Sequence, residues 1–211
     1  MSEAAAARRK DNVGTGLIIV ATLFSALSVL VFQAFGSRTL GTDGFAPIAV
    51  LWTLMFLIYT VINIPGEQHL TRALVVTRDP ARIRRVHGQM ALAYAGGAAI
   101  GVLFVILTLD RFFEGDAAYI GITALVLVSR SIMAAGRGTL AGHRRFAGYA
   151  LTIGIEAAAI LVGGLIAAMA DLPATAFALV MALAPLVTLA ARPFADIEGE
   201  GDAADIEAQP G

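Results

Sequence analysis

Residues 12–37 read NVGTGLIIVATLFSALSVLVFQAFGS, a stretch without a charged side chain. A helix of about 20 apolar residues crosses a hydrocarbon core of roughly 30 Å, so this stretch is long enough to span a bilayer. Further runs of similar length follow, three of them uncharged and two carrying only Arg130 or Glu156: residues 44–66, 88–109, 117–136, 146–170 and 172–191. The pattern predicts an all-α membrane protein with six transmembrane helices.

Glycines, prolines and charges between the runs set the predicted boundaries. Residues 1–11 are expected to form a cytoplasmic N-terminal segment and residues 12–191 the transmembrane domain. The predicted helices lie at about 13–36, 46–65, 88–109, 117–136, 147–170 and 173–191. Pro65-Gly66 is expected to end the second helix, and Gly138 to Gly142 to form a turn after the fourth. Residues 192–211 are rich in acidic side chains and poor in apolar ones, which predicts a disordered cytoplasmic tail.

The arginines fall mainly on alternate connections. The inner group comprises Arg8, Arg9, Lys10, Arg72, Arg78, Arg82, Arg84, Arg85, Arg137, Arg144 and Arg145, whereas the other connections hold Arg38 and Arg111. Cationic loops stay on the cytoplasmic side of a membrane. The bias therefore predicts a multi-pass protein of the cytoplasmic membrane with both termini inside.

Composition excludes several classes of protein. Apolar residues make up 58% of the chain, charged residues 15%, and the mean hydropathy is +0.78. The longest predicted connection, residues 67–87, is too short for a soluble catalytic or nucleotide-binding module. The chain has no cysteine, so it has no disulfide, thiolate nucleophile or cysteine-based metal site.

Enzymatic interpretations lack the residues that they need. Six helices suit an intramembrane rhomboid protease, but the chain has no G-x-S-x-G motif, and all three histidines fall in predicted connections. The H-E-x-x-H and Walker A motifs are also absent. We therefore predict a protein that is not an enzyme and needs no cofactor or metal, and no nucleic-acid partner is expected. Transport, ligand binding and scaffolding remain as candidate functions.

The membrane-embedded charges mark the candidate site. Arg130 and Glu156 are expected at similar depths on sequential helices. An ionised side chain at mid-membrane costs about 2.5–3.5 kcal/mol, so such groups pair, face the bundle interior or line a wet cavity. One interpretation is an Arg130–Glu156 ion pair that only joins two helices, or an Arg130 that reaches the headgroups. The other is a substrate cavity, lined by the polar residues of the two helix faces: Thr123, Arg130, Arg137, Thr152 and Glu156.

Two segments carry a family resemblance. Residues 33–45, QAFGSRTLGTDGF, resemble the SR-x-LG-x-x-G-(F/Y) turn of polysaccharide and O-antigen flippases of the MOP superfamily. Residues 137–146, RGTLAGHRRF, are similar to the G-x-L-x-G-x-x-R-F inner connection of that family. The similarity extends over all six predicted helices. It implies the amino-terminal half of a flippase that moves lipid-linked oligosaccharides.

The resemblance also implies a function for the charges. Members of the family pass lipid-linked sugars through a cationic cavity between two pseudo-related six-helix halves, the arrangement expected of such carriers. Arg130 and Arg137 would bind the pyrophosphate of a polyprenyl-linked saccharide, and Glu156 would tune that charge. The expected partners are membrane lipid and either a second six-helix half or a second copy of the chain. The contrasting hypothesis is a noncatalytic scaffold subunit or a small-solute binding component of a transporter.

The predicted orientation can be tested by thiol labelling, since the chain has no native cysteine. Cysteines introduced at Thr42 and Ala117 should react with an impermeant reagent in intact cells. Cysteines at Thr77 and Ala204 should react only after permeabilisation, because the arginine-rich connections lie inside. Labelling of position 77 from outside would reverse the orientation.

Overall fold

The computed structural model describes residues 3–77 and 79–194, and every regular element within those ranges is helical. The elements are α1 (Glu3–Ile58), a π-helical turn (Tyr59–Asn63), α2 (Ile64–Val76), α3 (Pro80–Leu107), α4 (Leu109–Phe112), α5 (Ala118–Gly142), α6 (Phe146–Met169), α7 (Ala174–Val187) and a 3₁₀ turn (Thr188–Ala191). The predicted acidic tail, beyond residue 194, lies outside the described residues.

The helices have the length and apolarity of a multi-pass membrane protein. Among the described residues, five helical stretches are suited to crossing a bilayer: Val13–Val76, Pro80–Leu107, Ala118–Gly142, Phe146–Met169 and Ala174–Ala191. Large apolar side chains face outward along the first stretch, where Val20, Leu23, Leu27 and Leu30 are each more than half exposed. Such a surface is suited to lipid and not to water.

Helix α1 folds back on itself at Gly41. Gly41 has a φ of 71°, a conformation that glycine adopts readily because it has no Cβ. On a straight helix Phe32 and Trp52 would lie about 30 Å apart at 1.5 Å per residue. Their ring centroids are instead 6.0 Å apart. Residues 13–40 and 42–58, here called the first and second arms, therefore lie side by side.

After the second arm, the helix continues through the π-helical turn into α2. The prediction that it ends at Pro65-Gly66 is therefore wrong. In the π-helical turn the N–H of Ile64 donates to the carbonyl of Tyr59, five residues earlier. Pro65 then falls in the first turn of α2, where a missing N–H is tolerated. Most of the predicted connection 67–87 is helical, because α2 continues to Val76 and α3 begins at Pro80. Asp79 caps α3 by accepting a hydrogen bond from the N–H of Ala81 at 2.9 Å.

Other boundaries differ from the prediction to a varying extent. The turn predicted at Gly138 to Gly142 is wrong, because α5 remains helical to Gly142. Packing explains the difference: a Cβ at Gly138 would lie 3.0 Å from the carbonyl oxygen of Glu67, so α2 and α5 are in close contact there. Tertiary contact of this kind overrides the low helix propensity of glycine. Helices α6 and α7 begin and end near their predicted limits, whereas α1 begins as early as Glu3 and α3 at Pro80.

Helix α5 is the centre of the bundle. It packs against α2, α3, α6 and α7, while α1 lies mainly along α6. The main apolar cluster lies around Phe32, Phe113 and Phe177, each at most 1% exposed. The rings of Phe32 and Phe177 contact each other edge to face, with centroids 5.8 Å apart. The cluster joins α1, α5, α6 and α7 and leaves α5 and α6 to present their polar faces to each other.

A pair of alanine substitutions on α6 tests this packing. A Cβ at Gly164 would lie 2.5 Å from Cδ2 of Phe32, whereas a Cβ at Gly154 meets nothing within 4 Å. We expect Gly164→Ala to destabilise the protein by about 1–3 kcal/mol through overpacking. Gly154→Ala should be neutral or stabilising by up to about 1 kcal/mol, because alanine is the better helix former. Denaturation in detergent measures both, and equal effects would contradict the α1–α6 packing.

Candidate functional site

Glu156 lies between two buried arginines. Arg130 forms an ion pair with Oε1 of Glu156, and Nη2 of Arg137 donates to Oε2 at 2.9 Å. The predicted contact between Arg130 and Glu156 is thus confirmed. Arg137, two helical turns further along α5, shares the same carboxylate, so of the two interpretations the one limited to an Arg130–Glu156 pair does not describe the contact in full. We call Arg130, Arg137 and Glu156 the charge cluster.

Neighbouring side chains on α6 hold Arg137 in place. Its Nε donates to Oγ1 of Thr152 at 3.1 Å, and the Thr152 hydroxyl donates in turn to the carbonyl of Tyr149 at 2.7 Å. The guanidinium carbon of Arg137 lies 6.0 Å from the centre of the Tyr149 ring, a cation–π distance. Tyr149, Thr152 and Glu156 share one face of α6 because they are three and four residues apart. The orientation of Arg137 is therefore fixed by three separate groups.

The charge cluster lines a cavity of about 290 Å³, here called the central cavity. The first arm contributes Thr22 and Ser25, the second arm contributes Trp52, and the π-helical turn contributes Tyr59. Sequence reasoning missed these four residues because they lie within uncharged runs, where hydropathy gives no signal. The seven-residue spacing of Trp52 and Tyr59 matches that of Arg130 and Arg137, and this periodicity is the signal that would have found them.

Thr123 does not join the site. It lies two turns before Arg130 on α5, is fully buried, and is not part of the wall of the central cavity. Its hydroxyl has no hydrogen-bond partner among the described residues. The geometry therefore brings together four of the five predicted site residues and gives no support to Thr123 as the fifth.

The charges in the wall of the central cavity do not balance. Arg130, Arg137 and Glu156 are 8%, 6% and 6% exposed, and two cations face one anion. The Nε of Arg130 is buried and has no hydrogen-bond acceptor within the part of the chain that the structure describes. Buried charges and donors are costly unless they are compensated. A negatively charged group in the cavity would supply both the missing charge and the missing acceptor.

A second polar contact lies beside the charge cluster. The hydroxyl of Tyr149 donates to Oε1 of Glu67 at 2.7 Å and so joins α6 to α2. Glu67 lines another cavity of about 440 Å³, which we call the end cavity. Its wall also includes Gln68, Thr71 and Arg72. Tyr149 belongs to the walls of both cavities.

Neither metal-site geometry nor similarity to known proteins assigns a function. No group of three or more His, Cys, Asp or Glu side chains in residues 3–77 and 79–194 is placed to hold a metal ion. In comparisons with protein-family models, curated proteins and solved structures, nothing matches this chain. The resemblance to flippases remains a prediction.

Stepwise removal of the charges tests the three-residue network. Glu156→Gln leaves two buried guanidiniums without a counter-charge, and loss of a buried partner costs about 3–5 kcal/mol. Combining Arg130→Met with Glu156→Gln still leaves Arg137 unpaired, so we expect only partial recovery of stability. Adding Arg137→Met should restore most of it. Folded yield and thermal denaturation in detergent measure the series.

The double variant is the critical member of that series. Under a simple Arg130–Glu156 pair it would be as stable as the wild type, and the third substitution would add nothing. That result would contradict a role for Arg137 in the network.

Proposed function

We propose that this chain is one half of a membrane transport protein that moves polyprenyl-linked saccharides across the cytoplasmic membrane. The resemblance of residues 33–45 and 137–146 to flippase motifs supports the class of protein. The second half would be another six-helix chain or a second copy of this one. The transport step needs no covalent chemistry from these residues.

The proposed half crosses the membrane six times, with both termini in the cytoplasm. The reversal at Gly41 supports six crossings, because it divides the longest apolar stretch into two arms that lie side by side. Each arm, with α2 extending the second, exceeds the roughly 20 residues that a crossing needs. The C-terminal ends of α2 and α5 and the N-terminal ends of α3 and α6 are rich in arginine, which supports a cytoplasmic location for that end of the bundle. We call it the arginine-rich end.

The observation that carries the proposal is the excess positive charge of the central cavity. Glu156 neutralises one of two buried guanidiniums, and the Nε of Arg130 still lacks an acceptor among the described residues. A guanidinium presents a planar fork of donors that matches phosphate oxygens. Arg130 would therefore contact the diphosphate of the lipid carrier. Glu156 would hold both arginines in position, and Thr152 would orient Arg137.

The size of the central cavity favours a second candidate function. A volume of about 290 Å³ suits a phosphate or diphosphate group, but not a whole lipid-linked saccharide. It lies near the lower limit of about 300–1,000 Å³ that is usual for small-molecule sites. The same charges would thus serve a small-solute binding component that takes a free anion. A noncatalytic scaffold, by contrast, would use the cluster only to join α5 and α6.

Removal of one cation distinguishes these functions. Arg130→Gln leaves Arg137 paired one to one with Glu156, so the variant should fold. We expect it to bind a polyprenyl-diphosphate-linked saccharide about ten- to a hundredfold more weakly, since a hydrogen bond to a charged group contributes about 1.5–3 kcal/mol. Native mass spectrometry in detergent, with any co-purifying partner retained, measures the binding.

Arg111→Gln is the matched control, because Arg111 lies on the short helix α4, away from the central cavity. It should bind like the wild type. Binding of inorganic diphosphate as tight as that of the polyprenyl-linked saccharide would favour the small-anion function, whereas much tighter binding of the lipid-linked saccharide would favour the flippase. Undiminished lipid binding by a folded Arg130→Gln variant would reject the site, and no anion binding at all would favour the scaffold.

A further inference from the structure

One aromatic side chain separates the two cavities. Tyr149 forms part of the wall of the central cavity, which contains the charge cluster. It also forms part of the wall of the end cavity, together with Glu67, Arg72 and Ala141. Ala141 is next to the last residue of α5, so the end cavity lies at the arginine-rich end of the bundle. The two spaces are therefore neighbours along one path from that end to Arg137.

The Tyr149 side chain is held by contacts that a rotation of the ring can release. Its hydroxyl donates to Oε1 of Glu67 at 2.7 Å, and its ring lies below the guanidinium of Arg137. The Tyr149 backbone is fixed independently, because Tyr149 lies within α6 and its carbonyl accepts from Thr152. Moving the ring consequently breaks one hydrogen bond and one cation–π contact, and it leaves the helix intact.

Contacts between α2 and α5 also hold the helices around Tyr149. The hydroxyl of Thr71 donates to the carbonyl of Gly138 at 3.2 Å, which ties α2 to α5 beside the end cavity. The absence of a Cβ at Gly138 allows the Glu67 backbone to approach α5 closely. Opening a path by separating α2 from α5 would break these contacts. A side-chain movement of Tyr149 needs no such separation.

We propose that the end cavity is the entry route by which an anionic group reaches the charge cluster, and that Tyr149, held by Glu67, closes this route. This inference deepens the proposed function and rests on it for the identity of the cargo. The chemistry of the route is suitable, because Arg72 and Gln68 offer donors to a phosphate group in the end cavity. A phosphate oxygen can also replace the Glu67 carboxylate as acceptor for the Tyr149 hydroxyl. The arriving group would then release the side chain that blocks it.

Cysteine accessibility tests the route without using the lipid. Ser25→Cys places a nearly isosteric thiol in the wall of the central cavity, in a chain with no other cysteine. A small anionic thiosulfonate reagent is applied to the arginine-rich end in oriented membrane vesicles. With Tyr149 present, modification should be slow. Tyr149→Ala should accelerate it at least tenfold, and Tyr149→Phe, which keeps the ring but loses the bond to Glu67, should accelerate it less.

Two controls separate an open route from a general loosening. Tyr119→Ala removes a buried tyrosine in the first turn of α5, at the opposite end of that helix from Gly142, and should leave the rate at position 25 unchanged. A Thr77→Cys reporter, partly exposed at the C-terminal end of α2, should react quickly and equally with or without Tyr149. If Tyr149→Ala does not fold, Tyr149→Phe carries the test alone.

The outcomes separate this inference from the proposed function. Accelerated modification without any binding of polyprenyl diphosphate would support the Tyr149 closure and reject the flippase function. An unchanged rate in folded Tyr149→Ala and Tyr149→Phe variants would overturn the closure, even if lipid binding were established. A thiol at position 25 that already reacts as fast as one at position 77 would overturn it too.

Discussion

The whole bundle depends on one carboxylate that serves two guanidiniums. Removing charges from water costs several kcal/mol per ion, and an apolar core of the same shape is often at least as stable. The charge cluster is therefore poorly explained as a means of stabilisation. It does fix the register of α5 against α6, because a shift of one residue would turn Glu156 away from both arginines. The central position of α5 has a separate origin, its packing against α2, α3 and α7.

The depth of the charges could be predicted from the sequence, but their full pairing could not. Counting 1.5 Å per residue from each helix end placed Arg130 and Glu156 at similar depth, and the ion pair confirms this. Arg137 was expected just beyond the fourth helix, since glycines follow it. Packing of Gly138 and Gly142 against Glu67 and Leu74 keeps α5 helical beyond that point. Arg137 consequently lies inside the bundle. Local propensity contains no information about such contacts.

The same limit applies to Tyr149 and Glu67. The two residues are 82 positions apart, and their hydrogen bond depends on how α2, α5 and α6 assemble. Glycine spacing, by contrast, did predict the reversal between the first and second helices, because a left-handed φ is a local property. The reversal at Gly41, where no packing contact opposes the local preference of glycine, could be predicted from the sequence. Features set by three helices at once could not.

The π-helical turn explains how one helix serves both cavities. Tyr59 lines the central cavity, and Glu67 holds Tyr149 at the end cavity. On a regular α-helix, residues eight apart differ by about 80° in direction, whereas residues seven apart differ by only about 20°. A π-helical turn inserts one extra residue without extra rotation, so Tyr59 and Glu67 are brought close to a seven-residue relation. Pro65 lies just after this turn, where a local π adjustment accommodates it within a membrane-type helix. The segment around Pro65, which was expected to end the helix, thus continues it through the π-helical turn that aligns Glu67 with Tyr149.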